Sequence, residues 1–247
     1  MFMRTQSAGA ARVLRMNELL SNKILTALPG EDFERLVPHL EPVTLSPGQT
    51  LFAQGERAHQ LFFPENCVVS YHCGMQDGKS VEVGMIGREG VAGLDALFGP
   101  TLGRQEVSVT LGGTALRARA EDVRREIERG AALRLLLEKF SGEYAAHVSQ
   151  RSACSVLHSM EKRFAVWLLM LTERFGSDTV EMTHERIATH LGVRRAGITV
   201  IVGELHDKGI LANSRGRLRI ADRAALEEVA CECYLTLGGV TAAATGH

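Results

Sequence analysis

The sequence predicts an α+β chain in three parts. A glycine-rich antiparallel β-roll of jelly-roll type comes first, then one long helix, then a compact basic unit of two helices and a β-hairpin. Three observations carry this reading. Twelve of the 25 glycines fall between Gly48 and Gly113, where they punctuate short β-rich runs. Residues 131–158 then keep a helical pattern interrupted only by Gly142. Finally, residues 182–223 hold eight Lys/Arg against four Asp/Glu, although the 247-residue chain balances 28 basic against 29 acidic residues. A local charge of +4 on a chain of net −1 points to a polyanion-binding module. With 45% hydrophobic and 23% charged residues, the composition excludes a disordered polymer, a collagen-like repeat and a disulfide scaffold.

Residues 1–17 are Ala/Ser/Arg-rich and aperiodic, which predicts a disordered arm. The β-roll domain spans 18–130. It opens with short helices, because Ile24, Leu25, Leu28, Phe33, Leu36 and Val37 recur at helical spacing, broken at Pro29 and ended near Pro38. From Glu41 the period changes: VTLSPGQTLFAQGE, LFFPENCVVSYHC, KSVEVGMIG and EVSVTLGGTALRAR read as strands separated by turn signals such as Asp77-Gly78. Glu121 to Arg129 is a short charged helix stopped at Gly130.

The long helix, 131–158, spans about 42 Å at 1.5 Å per residue. Leu133, Leu137, Phe140, Tyr144, His147 and Arg151 step alternately by four and three, a heptad spacing that predicts a homodimer seam. The alternative is that the same stripe packs on the β-roll of its own chain, and a helix with two faces can serve both.

The third part, 159–235, starts with an amphipathic helix, Met160 to Phe175, that contains the only tryptophan, Trp167. In MTHERIATHLGVRRAGITVIVGELHDKGIL, Thr183 is a good N-cap, and Ile187, Ala188 and Leu191 form one apolar face. Gly192-Val193 makes a tight turn, and Ile198, Ile201, Val202 and Leu205 form the face of a second helix. Two short helices joined by a glycine turn, the second opening on Arg194-Arg195, predict a helix-turn-helix. RGRLRI adds a hairpin with Arg215, Arg217 and Arg219 on one strand face, a basic wing. Residues 236–247, rich in Gly, Ala and Thr, predict a disordered tail.

Over roughly residues 20–225, and most specifically in THERIATHLGVRRAGITVIVGEL, the chain resembles the cyclic-AMP receptor protein/fumarate-nitrate regulator (CRP/FNR) family of bacterial transcription factors. The order of parts is the same: a cyclic-nucleotide-binding-like β-roll, a long dimerisation helix and a winged helix-turn-helix. The resemblance implies a homodimer that reads a two-fold symmetric operator in double-stranded DNA, a β-roll that senses an unidentified small effector, and contact with RNA polymerase if the protein activates. The candidate DNA-facing residues are Thr183, Arg194, Arg195, Ala196, Thr199, Val200, Arg215 and Arg217. Family recognition helices often begin Ser-Arg-Glu-Thr with a second Arg four residues after the Glu. Here Arg194, Arg195, Ala196 and Gly197 stand at those places and Val200 replaces the second Arg, so a different operator is expected. Arg195 keeps the arginine able to make a bidentate contact to guanine. Arg194, in place of a capping Ser, weakens the start of the second helix.

The expected effector pocket involves Leu94, Arg104, Gln105 and Glu106. Leu94 stands where cyclic-nucleotide binders carry a ribose-binding Glu, and Arg104 is followed by Gln105 and Glu106, whose carboxylate repels a phosphate; cyclic AMP is disfavoured. No cysteine precedes Cys67, which disfavours the family's N-terminal iron–sulfur cluster, and His72 and Cys73 on opposite strand faces disfavour haem. No cofactor and no metal are expected. Cys231 and Cys233 form a CxC, but one such pair without a second is weak, and the five cysteines read as reduced thiols.

Other patterns carry less. His184-Glu185 with His190 lacks the four-residue spacing of a zinc protease, and all three are expected on the surface of the first helix. Gly84, Gly87, Gly90 and Gly93 lack the strand–turn–helix context of a dinucleotide site and are expected to bend the roll. A cupin-like enzyme needs clustered histidines, and the roll offers only His59 and His72, so no catalysis is expected. A helix-turn-helix that binds protein rather than DNA is the remaining alternative, separable by salt dependence. With neither a signal-peptide pattern nor a run of about 18 apolar residues, the expected location is the cytoplasm, away from membranes.

Overall fold

The computed structural model describes residues 20–99, 103–214 and 216–237. The arm expected over 1–17 lies outside them, as does the tail from 238 on. Asn22 nucleates the first described helix: its side chain accepts from the amides of Ile24 and Leu25, capping α1 (Lys23–Thr26). Pro29 then precedes α2 (Gly30–Leu36), and a 3₁₀ turn at Val37–His39 leads into the sheets.

Seven strands follow: β1 (Glu41–Leu45), β2 (Thr50–Phe52), β3 (Gln60–Pro64), β4 (Val68–Gly74), β5 (Ser80–Ile86), β6 (Glu106–Leu111) and β7 (Gly113–Arg119). They form two antiparallel sheets, β1-β7-β3 and β2-β6-β4-β5, as the turn-punctuated β pattern predicts. A 3₁₀ turn, Leu94–Leu97, lies between β5 and β6. Leu61, Phe63, Val69, Ile86, Val109 and Ala115 fill the space between the sheets and are almost fully buried. Helix α3 (Ala120–Arg129) closes the roll and ends at Gly130.

Helix α4 (Ala131–Leu157) is the long one. Its Leu133, Leu137 and Phe140 are buried in the β-roll core, so the stripe named as a seam is occupied within the chain. The other members behave alike: Tyr144 packs 5.6 Å from the Tyr71 ring, His147 is 1% exposed, and Arg151 binds Glu82 of β5. The physical reason is apolar area. The stripe carries both aromatic side chains of the helix, Phe140 and Tyr144, and the sheet β4–β5 offers them a surface of their own chain. A second heptad, Leu135, Glu138, Gly142, Ala145, Ser149, Ser152 and Val156, faces solvent.

Among the glycines expected to bend the roll, Gly90 instead admits α4. A Cβ on Gly90 would overlap the Phe140 ring, so the residue is a close-approach site. Gly90→Ala is expected to push α4 off the sheet at a cost of about 1–3 kcal/mol, read as a lower urea midpoint.

Ser159 caps α5 (Met160–Phe175), accepting from the Lys162 amide. Phe164, Trp167, Leu168, Leu169 and Met170 are buried at its centre and form a second core with the C-terminal unit. That unit runs β8 (Thr179–Glu181), α6 (His184–Leu191), α7 (Arg195–Asp207), β9 (Leu211–Ser214), β10 (Arg217–Ile220) and α8 (Arg223–Val229), with a small antiparallel sheet ordered β8-β10-β9. The end differs from expectation: the backbone is helical over 233–237, and Leu237 is 1% exposed within the second core.

Candidate nucleic-acid interface

The helix-turn-helix forms as its sequence predicts. Thr183 accepts from the Arg186 amide and starts α6, and Ile187, Ala188 and Leu191 are buried. Gly192 ends that helix at φ +66°, a left-handed conformation that glycine adopts without strain. Arg194 is the N-cap of α7 and makes no side-chain capping bond, in line with the expected weak start. Ile198, Ile201, Val202 and Leu205 turn inward, while Arg194, Arg195, Ala196, Thr199 and Val200 are exposed on the opposite face.

A polar bridge that the sequence did not suggest fixes this face. The Nδ1 of His184 lies 3.1 Å from the Thr199 hydroxyl, and its Nε2 lies 3.4 Å from Asn213 Nδ2 on the wing. Thr199 also donates to the Arg195 carbonyl at 3.2 Å. Its hydroxyl is therefore committed to α6 and α7, and its methyl is the part left for a ligand.

The basic residues of this segment divide into two sets. Arg186 turns inward and donates to the Thr110 carbonyl of β6, Lys208 pairs with Glu161, Arg217 with Glu181, and Arg223 with Glu173 and Asp178. Arg194, Arg195 and Arg219 remain exposed and make no ion pair among the described residues. Arg215 lies outside the described residues. Wing and recognition helix thus present cationic groups not already neutralised by the protein.

Three of the four expected pocket residues come together. Leu94, Arg104 and Gln105 line a cavity of about 370 Å³ with Phe52, Tyr71 and Val107 of the roll and Phe140, Ser141 and Tyr144 of α4. Glu106 is not among its walls: it is exposed, because on β6 it points away from its neighbours Gln105 and Val107. Carboxylates reach the cavity from Glu56 and Asp95 instead. The Tyr71 hydroxyl accepts from the Gly93 amide at 2.9 Å, and burial pushes the phenols of Tyr71 and Tyr144 up.

Between this cavity and the helix-turn-helix lies a buried polar junction centred on Glu82 of β5. Its carboxylate accepts from Ser70 at 2.7 Å and Trp167 Nε1 at 3.2 Å, and pairs with Arg151 at 3.0 Å and His190 at 2.8 Å. Burial alone would raise this carboxyl, but Arg151 and His190 outweigh it and hold the pKa at about 2. His190, expected on the surface, is therefore buried, since this side of α6 faces the β-roll.

Burial also lowers His72 to about 4 and His147 to about 3, the latter with Arg174 and Arg151 adding to the effect. Both fall below the ordinary imidazole value of about 6.5, so the unfolded chain binds more protons as the pH drops beneath that value. Their contribution to stability is complete above about pH 6.5 and disappears as the pH falls toward their folded values. His147→Phe is expected to shrink the stability difference between about pH 7 and pH 5, measured by urea unfolding at each.

The profile of the Crp-like helix-turn-helix domain matches residues 162–229, and that of the cyclic nucleotide-binding domain matches residues 42–129. A CRP/FNR-family transcriptional regulator from Eubacterium rectale is similar in structure, with TM-score 0.65 and 18% identity over 83% of this chain and 96% of that one. FixK2 from Bradyrhizobium japonicum is similar with TM-score 0.67 and 15% identity over 78% and 98% of the two chains. A CRP-family regulator from Thermus thermophilus gives TM-score 0.64 and 20% identity over 76% and 96%. A search of curated protein sequences found no match. No helix among the described residues is long and apolar enough to cross a membrane. Two domains matched in order along one chain and joined by a long helix place this protein in the CRP/FNR family of DNA-binding transcription regulators.

Proposed function

We propose that the protein is a homodimer that reads a two-fold symmetric operator and passes a signal from its β-roll to its recognition helices. The observation that carries this reading is the exposed face of α7, where Arg194, Arg195, Ala196, Thr199 and Val200 stand together above a buried apolar face. Arg195 is the base reader, bidentate to guanine in the major groove, and the Thr199 methyl and Val200 add apolar contact to thymine methyls. Arg194, Arg215 and Arg219 contact phosphate, with Thr183 at the flanking backbone. Arg217 joins them once it leaves its exposed partner Glu181.

The exposed heptad of α4 supports the dimer, because its Leu135 and Val156 are apolar, and Gly142 and Ala145 between them permit close approach of a second helix. Such a pairing sets the two recognition helices about 34 Å apart, one turn of DNA. The cavity shared by the roll and α4 suits a small, largely apolar ligand that also meets Arg104. A ligand there bears on α4, and the Glu82 junction links the same sheet to α6.

Arg195→Ala tests the reading. Discrimination at one base pair per half-site should fall by about 1–3 kcal/mol, with binding at other positions retained. Arg219→Ala should instead weaken binding evenly on all sequences and reduce the salt slope by about one. Equal weakening of all sequences by Arg195→Ala refutes its assignment as base reader.

A further inference from the structure

We infer that Cys154, His158, Cys231 and Cys233 form a closed tetrahedral site for one zinc ion, placed where the long helix meets the DNA-binding unit. Cys154 lies in the last turn of α4 and His158 caps that helix, while Cys231 and Cys233 follow α8. The fold brings together residues up to 79 positions apart: Cys154 Sγ lies 3.6 Å from Cys231 Sγ, and Cys233 Sγ lies 3.6 Å from His158 Nδ1. All four candidate ligand atoms lie within 4.8 Å of one another.

These separations match the chemistry. With zinc–sulfur bonds of about 2.3 Å and zinc–nitrogen bonds of about 2.0–2.1 Å, a tetrahedral ion spaces its ligand atoms about 3.5–3.8 Å apart. Three thiolates and one imidazole form a zinc donor set, and thiolate-rich tetrahedral geometry disfavours magnesium, calcium and manganese. The three cysteines are at most 5% exposed, and four protein ligands leave no open position, as in structural rather than catalytic sites.

The surroundings fit as well. His158 presents Nδ1 to the site while its Nε2 lies 3.3 Å from Glu232 Oε1, the carboxylate partner that orients an imidazole ligand. Gln150 Nε2 donates to Cys233 Sγ at 3.1 Å, a bond that favours thiolate. Cys67 and Cys73 are not part of this cluster.

The placement assigns the ion a task. His158 and Ser159 are the bend between α4 and α5, so an ion on these ligands ties the 231–237 segment to the end of the long helix. The orientation of the helix-turn-helix relative to α4 would then depend on metal loading.

The test uses full-length protein freed of any affinity tag and kept reduced. Elemental analysis by mass spectrometry should find about one zinc per chain. Cobalt added to chelator-stripped protein should give the intense visible bands of tetrahedral thiolate coordination. Cys154→Ser with Cys231→Ser should abolish both signals, and Cys73→Ser should leave both unchanged. If the double variant does not fold, the cobalt spectrum of the wild-type chain decides alone. Hydrogen exchange on stripped wild-type protein should rise in 231–237 and in the last turn of α4. Stripped protein without cobalt–thiolate bands overturns the proposal, as does zinc that survives the double variant. A Cys154–Cys231 disulfide in protein that takes up no metal overturns it in favour of a redox pair.

Discussion

Ala145→Glu is expected to turn the protein into a monomer and to lower operator affinity by about 10²–10⁴-fold. Ala145 is exposed near the centre of the solvent-facing heptad of α4. In a parallel pair of helices its side chain meets the partner seam, where small residues allow close approach, and a glutamate from each copy brings bulk and like charge there. Each half-site then binds alone, and the gain from linking two half-sites in one particle disappears. The β-roll and helix-turn-helix remain folded, since Ala145 is exposed and belongs to neither core. Sedimentation velocity would report the mass and a symmetric duplex titration the affinity. A variant that stays dimeric moves the seam off this face; a monomer with unchanged affinity removes the two-half-site mechanism.

Glu82→Gln carries the largest expected cost in stability. The substitution keeps the shape but leaves Arg151, whose side chain is only 15% exposed, without its counter-charge, and deprives His190 of its carboxylate. Losing one partner of a buried ion pair typically costs about 3–5 kcal/mol. The same change should loosen α6 from the roll, because Glu82 on β5 bonds to His190 on α6 and Trp167 on α5. Denaturant titration measures the first effect and hydrogen exchange at α6 the second. A loss below about 1 kcal/mol would mean that water already serves Arg151 and that the junction is not a tight coupling element.

The sequence made the local elements legible and left the long-range ones hidden. The helix-turn-helix declared itself because capping by Thr183, the left-handed turn at Gly192 and the apolar faces of α6 and α7 are all written within about 25 consecutive residues. The β-roll followed from period-two runs and turn residues for the same reason. The stripe on α4 shows the limit: Leu133, Leu137 and Phe140 carry a heptad spacing whether the surface they meet is a second chain or the sheet of their own. Composition of the neighbouring face, small and polar, is the signal that would have favoured the other assignment. The burial of His190 is not legible in the sequence, because a histidine on a short helix gives no hint of a carboxylate 108 positions earlier. The cysteine–histidine cluster was hidden likewise. CxC at 231–233 shows half a ligand set, and Cys154 with His158 shows an i, i+4 pair on a helix. Only the packing of the last helical segment on the end of α4 joins them.

The most direct test of a dimeric, sequence-reading regulator is selection from random duplex DNA at one moderate salt concentration, with wild-type protein and Arg195→Ala in parallel. Wild-type protein should enrich a two-fold symmetric site with half-sites about one helical turn apart, and Arg195→Ala should lose one specified base pair in each half. Enrichment of an asymmetric or single half-site, or binding that selects nothing and hardly changes with salt, would contradict the account.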